Sequence, residues 1–134
     1  MKLVIDTNYL FSFFWRSAFA SKLLLADHDL YSHEFALREL EKHKEEIMTK
    51  TKLTSEDFRE FKLLLQKVIE FVQFSEYSNY IPEAFQLLPE HQKDIDFLAL
   101  AISLNAAILS KDKKLKEQSK IKVFNEKEFY QLLE

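Results

Sequence analysis

Lys2 is followed by three consecutive apolar residues, Leu3, Val4 and Ile5, and the run stops at Asp6-Thr7-Asn8, residue types that favour helix N-termini. This order predicts a strand over 2–5, a turn, and then a helix. From residue 9 to 26 apolar side chains fall on nearly every helical face (Leu10, Phe11, Phe13, Phe14, Trp15, Phe19, Leu23, Leu24, Leu25), which predicts one or two helices buried on more than one side. A second strand is expected over 29–32. Residues 34–50 then carry Ala36, Leu40, His43 and Ile47 along one face of a helix, with Glu39 beside that face. Thr54 and Asp57 have the spacing of a capping box, and Phe58, Phe61, Leu65 and Val68 form an apolar stripe behind it.

Further along, 69–74 reads as a third strand and 75–79 as a polar loop, with a short helix between Pro82 and Pro89. A helix over 94–104 carries Ala99 and Ala101 on its packing side. The chain contains no glycine, so Asn105 is the residue expected to take the left-handed conformation that ends this helix. A fourth strand over 106–110, a short helix over 113–118, a fifth strand over 121–124 and a closing helix over 126–133 complete the pattern. Strands alternating with helices predict a three-layer α/β/α sandwich around a parallel sheet of about five strands.

At 134 residues and 47% hydrophobic composition the chain is sized for one domain, residues 1–134, with a substantial core. The absence of cysteine removes disulfides, thiolate metal sites and cysteine nucleophiles, and fits a reducing compartment. No charged leader precedes an apolar stretch, and the apolar runs are far shorter than a membrane span, so a cytoplasmic protein with no membrane association is expected. A net charge of −3 excludes a broadly basic nucleic-acid coat. It leaves room for a nuclease, in which clustered carboxylates are offset by a divalent cation and local lysines hold phosphates.

Four acids then change the picture: Asp6 after the first strand, Glu39 on the helix after the second, Asp94 opening an alanine-rich helix, and Asp112 in Ser110-Lys111-Asp112 after the fourth strand. An open parallel sheet gathers its ligand site at the carboxyl ends of its strands, where residues this distant in sequence can meet. Two like charges about 4 Å apart repel by about 4 kcal/mol at an effective dielectric near 20, so four such groups need either protons or a cation. Oxygen-only ligands suit Mg²⁺ or Mn²⁺ better than Zn²⁺.

With these residues in order, the chain resembles the PIN-domain family of metal-dependent ribonucleases, which includes the VapC-type toxins of toxin and antitoxin pairs. The resemblance runs from end to end and implies a PIN-like, Rossmann-like fold. It places the metal-binding, catalytic acids at Asp6, Glu39, Asp94 and Asp112, with Asn8 and Ser110 as supporting polar positions. Asp96 competes with Asp94 for the third place. The spacing to Asp112 and the small residues at Ala99 and Ala101 favour Asp94, while Glu34 and Glu41 flank Glu39 closely enough to compete with it. The chain departs from the family pattern mildly, with Asn105 where glycine is frequent and Ser110 where threonine is.

Taken singly, each acid is equally a helix cap or a solvated charge; their joint recurrence at strand ends separates them from that reading. Lys111, Lys113, Lys114, Lys116, Lys120 and Lys122 form the densest basic stretch, either an RNA-backbone track beside Asp112 or an ordinary solvated face, with Arg16 and Lys22 as further candidates. His91 lies near Asp94 in sequence, but a surface histidine is the simpler reading and no histidine is assigned a catalytic role. The Phe11, Phe13, Phe14, Trp15 and Phe19 cluster belongs to the core, with any remainder available to a homodimer partner or an antitoxin peptide. The function expected is hydrolysis of phosphodiester bonds in RNA with Mg²⁺ or Mn²⁺. The alternatives are an inactive PIN-like scaffold and an α/β phosphatase using Asp6, whose customary Asp-x-Asp start is missing because position 8 is asparagine.

Overall fold

Leu3, Val4 and Ile5 are each fully buried, the signature of a strand covered on both faces. They belong to β1 (Lys2–Ile5), the central strand of a five-stranded sheet in the order β3-β2-β1-β4-β5, with every pair parallel. The other strands are β2 (Asp29–His33), β3 (Ile69–Val72), β4 (Ala107–Leu109) and β5 (Val123–Phe124). This computed structural model describes residues 1–15 and 28–133. Phe19, Leu23, Leu24, Leu25, Arg16 and Lys22 lie outside the described residues.

Helices cross between the strands: α1 (Thr7–Phe14), α2 (Glu34–Lys42), α3 (Lys44–Thr51), α4 (Ser55–Val68), α5 (Phe74–Tyr77), α6 (Ile81–Leu87), α7 (Ile95–Leu104) and α8 (Glu126–Leu133). A parallel sheet with helices between its strands is the α/β/α architecture expected. Thr54 accepts from the Asp57 amide at 3.0 Å while the Asp57 carboxylate accepts from the Thr54 amide at 3.3 Å, so the capping box forms reciprocally. Of the stripe behind it, Phe58 and Leu65 are buried, Phe61 is half-buried and Val68 is exposed. Asn105 ends α7 in the left-handed region at φ 51°, as expected, and Lys52 does the same for α3 at φ 60°, which the sequence did not signal.

Four expectations are corrected. The helix over 34–50 breaks at His43 (φ −98°, ψ 15°). Tertiary contacts hold the break: the His43 ring meets Phe11 edge-on at 5.9 Å and lies between the Glu39 and Glu46 carboxylates. The segment 75–79 is not a loop, because α5 starts at Phe74 and continues into a 3₁₀ turn over Ser78–Tyr80, winding the fully buried Tyr77 into the core. Asp94 ends a 3₁₀ turn (Gln92–Asp94) and stands at the N-cap position of α7 rather than within it, while the short helix expected over 113–118 forms as a 3₁₀ helix over 113–117. The last three strands are shorter than expected. The buried core runs continuously from the sheet into α1, α4, α7 and α8. Among the described residues no helix is long and apolar enough to cross a membrane.

Candidate functional site

Because β1 and β4 are parallel neighbours, the residues that follow them emerge side by side. The Asp6 amide donates to the Leu109 carbonyl at 3.1 Å, which closes the β1–β4 pairing and sets Asp6 beside Ser110. Ser110 is buried and its hydroxyl donates to Asp6 Oδ2. Ser110 Oγ also accepts from the Asp112 amide at 3.0 Å, so one serine ties the ends of both strands together. Asp112 in turn caps the 3₁₀ turn by accepting from the Lys114 amide at 3.0 Å.

Asp94 completes the group from the start of α7. Its carboxyl faces that of Asp112 within hydrogen-bond reach. Burial, this hydrogen bond and the charges of Asp112 and Asp6 push the Asp94 carboxyl up to about 7, with His91 pulling the other way. Burial also raises Asp6, against the Ser110 hydroxyl and the Thr7 and Asn8 amides, which face the carboxylate without completing a capping bond; Asp112 adds to the rise. Three carboxyl groups from three separate elements therefore sit close enough for the charge of Asp112 to raise both Asp6 and Asp94.

All of them line a cleft of about 640 Å³ at the carboxyl ends of the strands, where an open parallel sheet places its ligands. Asn8 and Glu39 line it as well, but Glu39 is held by His43 Nε2 at 3.3 Å rather than by the aspartates. Asp96 also faces the cleft and accepts the Tyr77 hydroxyl at 2.7 Å, so its role differs from that of Asp94. A neighbouring hollow of about 460 Å³ shares Asp94 and Asp112 and adds His91 and Lys114. Among the described residues no three acidic or histidine side chains stand as a preformed cage for an ion.

The basic stretch divides. Lys114 lines the neighbouring hollow and the Lys111 ammonium lies over the Tyr9 ring at 5.2 Å, whereas Lys116 pairs with Glu128 and Lys120 with Glu83. Lys113 and Lys122 are exposed. His91 pairs with Glu117. Of the aromatic cluster, Phe13 and Phe14 are buried, Phe11 lines the cleft and Trp15 is exposed.

Sequence reasoning missed Lys42, Lys93, His33, Phe35 and Phe97, which also line the cleft. For His33 a signal existed: it ends β2 as Asp6 follows β1, at the same edge of the sheet. Its Nδ1 accepts the Ala36 amide at 3.2 Å, capping α2, and burial lowers its pKa to about 4 against the opposing charge of Asp96.

A comparison with curated proteins finds no significant match. Among solved structures, the fold is similar to VapBC2 from Rickettsia felis bound to a DNA fragment from its promoter (TM-score 0.67, 17% identity, 93% of this chain and 98% of that one). It is also similar to VapBC-1 from nontypeable Haemophilus influenzae (TM-score 0.66, 15% identity, 95% of this chain and 99% of that one). The PIN-domain profile matches residues 4–132, nearly the whole sequence and every element that builds the cleft, and the chain belongs to the PIN-domain family.

Proposed function

We propose that the protein is a metal-dependent ribonuclease. The observation that carries this reading is the gathering of Asp6, Asp94 and Asp112 in one cleft at the carboxyl edge of a PIN-domain sheet, with Ser110 bonded to both Asp6 and the Asp112 amide. Three carboxyl groups brought together offer oxygen donors and negative charge, which suit Mg²⁺ or Mn²⁺. Asp6, Asp94 and Asp112 would hold the ion, with Glu39 completing the set directly or through water. When bound, the ion supplies polarisation of water and neutralisation of charge on the phosphoryl oxygens. Ser110 fixes the direction of the Asp6 carboxylate, and Asn8, Lys42 and Lys93 bring polar and cationic groups to a phosphate chain crossing the cleft. Lys111, Lys113 and Lys114 extend that contact beyond Asp112, Lys114 foremost because it lines the adjoining hollow, while Lys116 is taken by Glu128.

The similar folds are those of VapBC proteins, which supports an antitoxin partner for this chain, and the exposed Trp15 supports a second copy or such a partner covering that surface. Cleavage of single-stranded RNA is expected with Mn²⁺ or Mg²⁺ and not in excess chelator. Asp6→Asn and Asp94→Asn should each abolish it, and Asp96→Asn should do much less. Equal cleavage in chelator overturns the mechanism, and a greater loss in Asp96→Asn overturns the assignment of the third acid.

A further inference from the structure

An aromatic series runs from the lining of the cleft outward on one side of the carboxylates. Phe97 lies against His33 with ring centroids 4.2 Å apart, His33 is 5.8 Å from Phe35, and Phe35 is 6.1 Å from Phe74. Tyr77 backs Phe74 edge-on at 5.4 Å, and its hydroxyl is tied to Asp96. The series therefore rests on buried, hydrogen-bonded support. His33, Phe35 and Phe97 line the same cleft as Asp6, Asp94 and Asp112, while Phe74, reached through Phe35, is 42% exposed. Arg38, paired with Glu34, holds its guanidinium over the Phe35 ring at 5.3 Å.

The sheet order gives this series its direction. Phe35 follows β2 and Phe74 follows β3, on one side of Asp6; Lys111, Lys113 and Lys114 follow β4, on the other. A strand of nucleic acid with its phosphate at the carboxylates would have cations along one flank and aromatic faces with a guanidinium on the other. Flat, apolar rings with an adjacent cation fit an unpaired base, because every base offers a π-face and stacking on a protein ring contributes about 1–3 kcal/mol. Duplex RNA does not fit, since its bases already stack on one another.

We propose that Phe35 and Phe74, with Arg38 beside them, form a base-stacking subsite for an unpaired nucleotide of RNA next to the bond that is cleaved. The subsite rests on the ribonuclease reading and adds to it a requirement for single-stranded substrate. His33, fixed by its bond to the Ala36 amide, lies against both Phe97 and Phe35.

The test uses a single-stranded RNA of about 15 nucleotides, near the upper site size for single-strand binders, with its cleaved bond mapped and one base at a time removed. For the wild-type protein with Mn²⁺, an abasic nucleotide at one position beside the cleaved bond should raise KM by about 5- to 100-fold with little change in kcat. Phe35→Leu, which keeps apolar volume without the ring, and Phe74→Ala, at an exposed position, should each bring that ratio toward one. The same ratio is read at equilibrium by fluorescence anisotropy. RNA that is cleaved with no abasic position mattering, or variants that keep the wild-type ratio, overturns the subsite alone. Binding with an abasic penalty but no cleavage overturns the nuclease reading alone, and absence of RNA binding overturns both. A variant that changes the oligomeric mass while its abasic ratio stays at the wild-type value overturns the subsite in favour of a protein-binding surface.

Discussion

Asp94→Asn should stabilise the metal-free protein at neutral pH while removing its activity. In the folded state Asp94 keeps its proton up to about pH 7, while unfolded it loses it near 3.8. Folding therefore takes up a proton between these values, so stability falls as pH rises through the window and the full penalty stands above pH 7. A displacement of that size is worth up to about 4 kcal/mol. The carboxyl forms part of the wall of an open cleft, where water screens it, so about 1–2 kcal/mol is the expected gain on neutralising it. The substitution keeps a residue type favoured at helix N-termini and removes no capping bond, because the Asp94 side chain makes none. Losing its charge at the start of α7 offsets the gain by a few tenths of a kcal/mol.

His33 works in the opposite sense over nearly the same range. Its pKa is lowered to about 4, so the unfolded chain binds the extra proton and stability rises with pH toward 6.5. The wild-type profile is therefore flattened, and the informative quantity is the difference between variant and wild type, in which His33 cancels. Urea unfolding of both proteins in chelator should give a difference near zero at pH 4 that grows to about 1–2 kcal/mol by pH 8, or about 3–8 °C in Tm. Mn²⁺ at about 100 times its Kd should stabilise the wild type by about 2.7 kcal/mol and the variant by clearly less. A metal-free variant that is less stable than wild type at pH 8, with an equal metal increment, would refute the reasoning and make Asp94 a structural residue.

Four further outcomes are expected. Tyr77→Phe removes a donor from the buried end of the Asp96 hydrogen bond and should cost about 1 kcal/mol in urea unfolding. Asp96→Ala, which strands a buried hydroxyl, should cost about 1–3 kcal/mol. Ser110→Ala loses bonds to both Asp6 and the Asp112 amide. It should cost about 1–3 kcal/mol in thermal melts and lower kcat for RNA without changing the metal requirement. Lys114→Ala should reduce the slope of log Kd for single-stranded RNA against log salt by about 0.7, one phosphate contact, whereas Lys116→Ala, paired with Glu128, should leave it unchanged. Equal slopes in all three proteins would return Lys114 to the solvated surface.

Much of this molecule was legible because local chemistry decides it. The apolar run Leu3-Val4-Ile5 is buried on both faces wherever it lies in a parallel sheet, Thr54 and Asp57 close a capping box within one helical turn, and a chain without glycine leaves asparagine to end α7. The succession of acids at strand ends was equally plain, since alternation of strand and helix brings those ends to one edge. Tertiary packing decided the rest. The break at His43 carries no proline or glycine and exists because Phe11, Glu39 and Glu46 converge on its ring from other turns and another helix. The winding of 74–80 follows from where Tyr77 finds Asp96, 19 residues away. Which carboxyls crowd one another, and that Lys116 and Lys120 are taken by Glu128 and Glu83, depend on distances between different elements of the fold. Sequence periodicity fixes which face a residue lies on; electrostatics and aromatic contact act through space, so only the packed sheet and its crossing helices determine them.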